Sequence, residues 1–220
     1  VEPFISGMQA EAVSGRITVP GSSLTNSFVR QMNGLGTPDY GDVDFAFKDQ
    51  FKAFPATNLA VRKSVYQSLG GFDSQMHVAE DVDFYIKLHE KNVTAAYASK
   101  AVVYHMHRDS LAGLLKHSWK TGRGSSGFIR KHGFWNKYLP GTSLSVFSVP
   151  IFLVSVALLF LAVAGVVNPL FLLVYLVPYV ALIGKYWCCN QGLASFIFPF
   201  LFLLYSLSLG LGVLASLSGR

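Results

Sequence analysis

The sequence predicts an α/β domain followed by transmembrane α-helices. Three observations predict it. Residues 1–139 have the mixed composition of a soluble domain, with short strand and helix patterns. From Pro140 to Gly219 the only charged side chain is Lys185, so that run cannot form a soluble surface. Between them, Phe54–Gly124 gathers most of the charged and potentially catalytic side chains around Glu80-Asp81-Val82-Asp83.

Composition narrows the function classes. The net charge is +6, and the basic residues lie beside apolar runs rather than interleaved with aromatics. That pattern points to a membrane surface and not to nucleic acid. Cys188 and Cys189 are adjacent, a spacing that disfavours a disulfide and fits no metal site, so they read as membrane-interface thiols. Val1-Glu2-Pro3-Phe4 lacks the basic start of a signal peptide, and the chain reads as opening inside a domain.

The elements follow in order. Residues 1–12 read as a helix end. Ala12–Pro20 is β-branched, ends in proline and reads as a strand. Gly34, Gly36, Pro38 and Gly41 mark residues 21–53 as a long irregular loop. Residues 61–69 fit a helix, with Val61, Val65 and Leu69 on one side and Gly70-Gly71 as its C-cap. Glu80–Lys91 fits a second helix, with Val82, Tyr85, Ile86 and His89 on one face. Strands are expected at Thr94–Ala98 and Ala101–Tyr104. Asp109 suits the N-cap of a helix whose apolar side carries Leu111, Leu114, Leu115 and Trp119. Apolar runs follow at residues 146–167, 170–184 and 193–217, and we count three membrane spans. The second is short and contains Pro178, which leaves a re-entrant segment open; Lys185-Tyr186-Trp187 suits an interfacial anchor.

Four groups of residues have the composition of a site. Glu80, Asp81 and Asp83 open a helix, where acidic side chains also compensate the dipole. Asp42-Val43-Asp44 has the spacing to bind a divalent cation, but it follows a glycine-rich loop and equally reads as solvated. His105 and His107 alternate at a strand end and share a face, as strand-edge surface or as ligands. Lys116, Lys120 and Arg123 recur at i, i+4 and i+7, forming one basic stripe that suits a diphosphate or anionic lipid headgroups.

The blocks NLAVRKSVYQSLGGFD, AEDVDFYIKLHEKN, AVVYHMHR and SLAGLLKHSWKTGRG, in this order and spacing, resemble the C-terminal part of family 2 glycosyltransferase catalytic domains. Those domains have the GT-A fold. The apolar tail ending LLYSLSLGLGVLASLSGR is similar to the membrane tail of bacterial and archaeal members. The resemblance implies that 1–139 is a partial GT-A domain and that 140–220 is a membrane region. It implies a nucleotide-diphosphate-sugar donor, a lipid or glycan acceptor, inversion at the anomeric carbon, and a catalytic domain on the cytoplasmic side. It also implies a divalent cation, Mg2+ or Mn2+. The family's general base falls on Asp81, with Glu80 beside it to orient the acceptor or favour the helix start. Asp83 reads as structural or solvated. Asn58 and Arg62 fall where the family contacts donor or acceptor, and equally read as a helix N-cap region with a surface arginine; a histidine near His105 and His107 completes the metal site in some members.

Two departures matter. The family's Gln/Arg-x-x-Arg-Trp motif aligns with His117-Ser118-Trp119-Lys120-Thr121, where lysine keeps the charge but loses the bidentate fork. That argues against a polymer-making enzyme. The family's nucleotide-binding half and its Asp-x-Asp strand precede a strand like Ala12–Val19. The chain therefore reads as a C-terminal fragment, expected to be inactive alone. The competing expectation is a non-catalytic membrane scaffold that keeps a GT-A remnant.

Overall fold

The computed structural model describes residues 10–20, 23–29, 45–47, 56–137, 140–168 and 194–218. Residues 1–9 of the helix end expected over 1–12, the Asp42-Val43-Asp44 pair, the 170–184 run, Lys185-Tyr186-Trp187 and the two cysteines lie outside the described residues, and residues 10–12 are not helical but lead into a strand. The chain forms two compact units. One comprises residues 1–109 with 130–132, the other 110–129 with 133–220.

The first unit is mixed α/β. Its sheet has four strands, β1 (Ala12–Thr18), β2 (Phe45–Phe47), β3 (Leu59–Val61) and β4 (Ala95–Tyr104), in the order β2-β4-β1-β3. β1 runs parallel to β4, while β2 and β3 are antiparallel edges. The two strands expected at 94–98 and 101–104 are one continuous strand. Its register against β1 shifts between Gly15 and Arg16, so that Gly15 faces Ala98 and Arg16 faces Val102. The polar Ser99-Lys100 pair sits in that irregularity, which is why the pattern looked broken.

Helix α1 covers Lys63–Ser68 and is preceded by β3, so Val61 belongs to a strand and not to the helix. Gly70 and Gly71 end it, at φ of 72° and 62°, a region that only glycine enters cheaply. Helix α2 covers Glu80–Glu90. Its buried residues are Asp83, Phe84, Tyr85, Ile86 and Leu88, so the expected face through Val82 and His89 is displaced toward Phe84 and Leu88. Phe84, Tyr85 and Leu88 pack with Val65 of α1 and with Ala12, Ala95 and Tyr97 of the sheet. Ala10, Val13, Ala96 and Ala98 form a second, smaller cluster.

The second unit is helical. Helix α3 covers Leu111–Gly124, α5 Pro140–Val163 and α6 Ala194–Leu217, while α4, Ser126–His132, is shared, its last turn Arg130–His132 belonging to the first unit. Ser110, not Asp109, caps α3, accepting from the Gly113 N–H at 3.1 Å. Asp109 instead accepts from the Asn26 side-chain amide at 2.7 Å within the first unit. The buried face of α3 is Leu114, Ser118 and Gly122, and Leu111 is exposed. Small residues replace the expected leucine face because backbones meet there. A Cβ on Gly122 would strike the Leu209 carbonyl of α6, and one on Gly212 would strike the Trp119 carbonyl. Serines bridge the same seam, Ser118 donating to the Tyr205 carbonyl at 2.7 Å and Ser208 to the Leu115 carbonyl at 2.8 Å.

Helix α5 meets α6 in the same way, Gly210 lying against the Ser145 carbonyl. Gly210 and Gly212 are two residues apart, about 200° around the axis, so one glycine serves each neighbour. Helix α5 stops at Val163, short of the expected 167, because Gly165 turns the chain at φ 72°. Ser145–Val163 and Phe196–Leu217 are long and apolar enough to cross a membrane.

Candidate functional site

The acidic cluster sits at the start of α2. The chain enters the helix through Ala79, whose φ of 63° is left-handed and costs an alanine about 1 kcal/mol. Such strain often marks functional positions. Two residues later, Asp81 is half-buried and held by backbone N–H donors alone. Its carboxylate accepts from Ala56 at 3.1 Å and from Val82 at 2.9 Å. Among the described residues no cation pairs with it. Glu80 is likewise half-buried.

Asp83 has the opposite surroundings. It is 1% exposed. Lys131 reaches it at 2.8 Å, His132 at 2.8 Å and Lys87 at 3.4 Å. Burial pushes its carboxyl up, but hydrogen bonds from Lys131 and His132 and the charges of Lys131 and Lys87 outweigh this and hold it below the usual range. Lys131 also binds Asp73 at 3.1 Å, and the two carboxylates hold its ammonium above the ordinary range. Asp73 is lowered by the Gln75 N–H and by Lys131. Asp83 is therefore structural rather than solvated. The sequence carried one usable signal for this, the basic run Arg130-Lys131-His132 closing α4.

Asn58 ends a 3-10 turn, Ala56–Asn58. Its amide group donates to the Arg16 carbonyl at 2.9 Å and to the Ala101 carbonyl at 2.7 Å, bridging β1 and β4 across their register shift. Its carbonyl accepts from Ser14 at 3.2 Å. Gly15 is obligatory beside it, since a Cβ would meet the Ala101 carbonyl and the Asn58 amide. Arg62 is exposed and reaches back to the Ala10 carbonyl at 3.4 Å. Asn58 belongs to the same turn as Ala56, the donor to Asp81.

Ala56 also lines an open cavity of about 340 Å³. Tyr66, Phe72 and Phe84 wall it, with ring centroids 5.0 to 5.6 Å apart, and Lys63 adds a charge. Sequence reasoning missed this wall. Its three rings come from α1, from the Gly-Gly-Phe-Asp turn and from α2, and no local periodicity joins them.

His105 and His107 follow β4 with their rings 4.5 Å apart and edge-on. Among the described residues no three His, Cys, Asp or Glu side chains converge to hold a metal ion. The two imidazoles alone do not make the site that a divalent cation needs, and no chemical step is drawn through one. Lys116, Lys120 and Arg123 are exposed on α3, opposite its buried seam, and α3 belongs to the helical unit.

No curated protein and no solved structure gives a match to the chain. A family profile described as Glycosyl transferase family group 2 matches residues 11–214, which takes in both units. The chain belongs to glycosyl transferase family 2.

Proposed function

We propose that the protein is an inverting, membrane-bound glycosyltransferase that moves a sugar from a nucleotide-diphosphate donor to a lipid or glycan acceptor. Asp81 is its general base. An acceptor hydroxyl is a poor nucleophile, and a carboxylate within hydrogen-bond reach takes its proton as the new glycosidic bond forms and the bond to the diphosphate breaks. The observation that carries this reading is the contrast between two carboxylates two residues apart. Asp83 is neutralised by cations, whereas Asp81 is held by backbone N–H groups and, among the described residues, has no cation beside it.

The aromatic cavity beside Ala56 supports the same reading, because ring faces suit the apolar faces of a sugar. In this reading Glu80 orients the acceptor, Asn58 shapes the turn that carries Ala56, and Arg62 meets the substrate at the surface. His105 and His107 would contribute only part of the site for the divalent cation expected of the family. The transfer domain faces the cytoplasm, and α5 and α6 span the membrane. The test is Asp81→Asn in the complete protein. Turnover is expected to fall about 100- to 10,000-fold while donor affinity stays near wild type. Normal turnover would sink the assignment.

A further inference from the structure

We propose that Lys116, Lys120 and Arg123 form a collar that binds the phosphate groups of anionic membrane lipids. The inference rests on the membrane reading given above and concerns a partner that transfer itself does not require. Depth is the first argument. Helix α3 meets α6 at Tyr205 and Ser208, and about one turn later Leu209–Val213 of α6 approaches both of its neighbours. On one side this turn meets Trp119, Gly122 and Arg123 of α3, and on the other it meets Ser145. Lys120 and Arg123 therefore lie near the level of Ser145, the first residue of the apolar stretch Ser145–Val163, and Lys116 lies about one turn away, beside the Leu115 carbonyl that Ser208 meets. Beyond that level α5 presents apolar side chains outward, Leu153 being 61% exposed, Phe160 71% and Val163 81%. A lipid bilayer covering those residues would end near Ser145 and bring its headgroups to the stripe.

An aromatic group at the same end gives a second, independent argument. Trp135 is 73% exposed and stacks on Phe147 with centroids 5.8 Å apart and planes at 21°. An exposed tryptophan beside the first turn of an apolar helix is the usual mark of a headgroup boundary. Chemistry gives the third. The three cations face away from the seam of Leu114, Ser118 and Gly122, and among the described residues neither Lys116 nor Lys120 forms an ion pair. The other anion of matching chemistry is the leaving diphosphate. The observations favour lipid, because α3 packs on the apolar helix α6 within one compact unit.

The experiment uses the complete protein, purified in a neutral detergent and offered mixed micelles of phosphatidylglycerol or phosphatidylcholine. Wild type is expected to retain phosphatidylglycerol preferentially, and 1 M salt should abolish the preference, since the Debye length falls to about 3 Å. Lys116→Gln/Lys120→Gln/Arg123→Gln should weaken retention on the order of 100-fold at low salt, and Lys116→Gln alone about five-fold. The single variant, at an exposed position, carries the test should the triple fail to fold. Lys116→Arg/Lys120→Arg should retain the lipid. Unchanged retention in the glutamine variants overturns the proposal. So does loss of inorganic pyrophosphate binding with lipid retention intact, which would assign the stripe to the leaving group. Release of wild type from membranes by alkaline carbonate would instead remove the membrane reading beneath it.

Discussion

Asp83 sits where a single proton has a large structural effect. Its carboxylate is buried against Lys131 and His132, so losing it leaves both without their shared partner. Asp83→Asn is expected to cost about 3 kcal/mol, the low end for a broken buried pair, because Lys131 stays 40% exposed. The pH dependence follows from the shifts. The folded carboxyl lies below its ordinary 3.8, so its contribution is full above that value and is lost as pH falls through the lower folded value. The folded ammonium lies above its ordinary 10.5, so its contribution is full below that value and is lost as pH rises through the higher folded one. Thermal unfolding of wild type and Asp83→Asn should thus differ by a constant amount at neutral pH and converge in strong acid. A difference that persists unchanged in acid would show that the carboxylate charge is not the stabilising element. The motif around Asp81 was legible because it is local. The clamp on Asp83 was not legible, because its partners lie 48 and 49 residues away.

At the scale of elements, α3 shows how a small-residue pattern can be mistaken for a weak apolar one. Leucines and a tryptophan suggested an ordinary amphipathic helix, but the seam is Leu114-Ser118-Gly122 at i, i+4 and i+8. Small residues at that spacing let two backbones approach, and serine supplies hydrogen bonds where side-chain volume is missing. Gly122→Val or Gly212→Val should each cost about 1–3 kcal/mol by forcing α3 away from α6. Ala157→Val, on the exposed side of α5, should change stability little. Thermal unfolding of the three variants in detergent checks this, and equal stability of all three would refute the seam. Strand β4 gives the complementary case. Its residues Ala95–Ser99 are buried and the rest alternate, so one strand reads as two. The repair comes from elsewhere, as Asn58 pins the register shift with two hydrogen bonds.

For the whole molecule, the prediction is that the complete protein sediments with membranes and resists alkaline carbonate, as expected if Ser145–Val163 and Phe196–Leu217 span a bilayer. Quantitative release into the carbonate supernatant would refute it. The sequence by itself determined the family, the α/β character of the polar segment, the two long apolar helices and the local motif holding Asp81. Each depends on neighbours in the chain: hydrophobic runs, helix periods and short blocks in order. Tertiary structure alone decided that α3 joins the apolar helices, that Asp83 is a buried anchor while Asp81 is not, and that Asn58 bridges the sheet. These depend on contacts across tens of residues. One unpaired charge or one extra Cβ is decisive there, and no pattern along the chain records which side chains will meet.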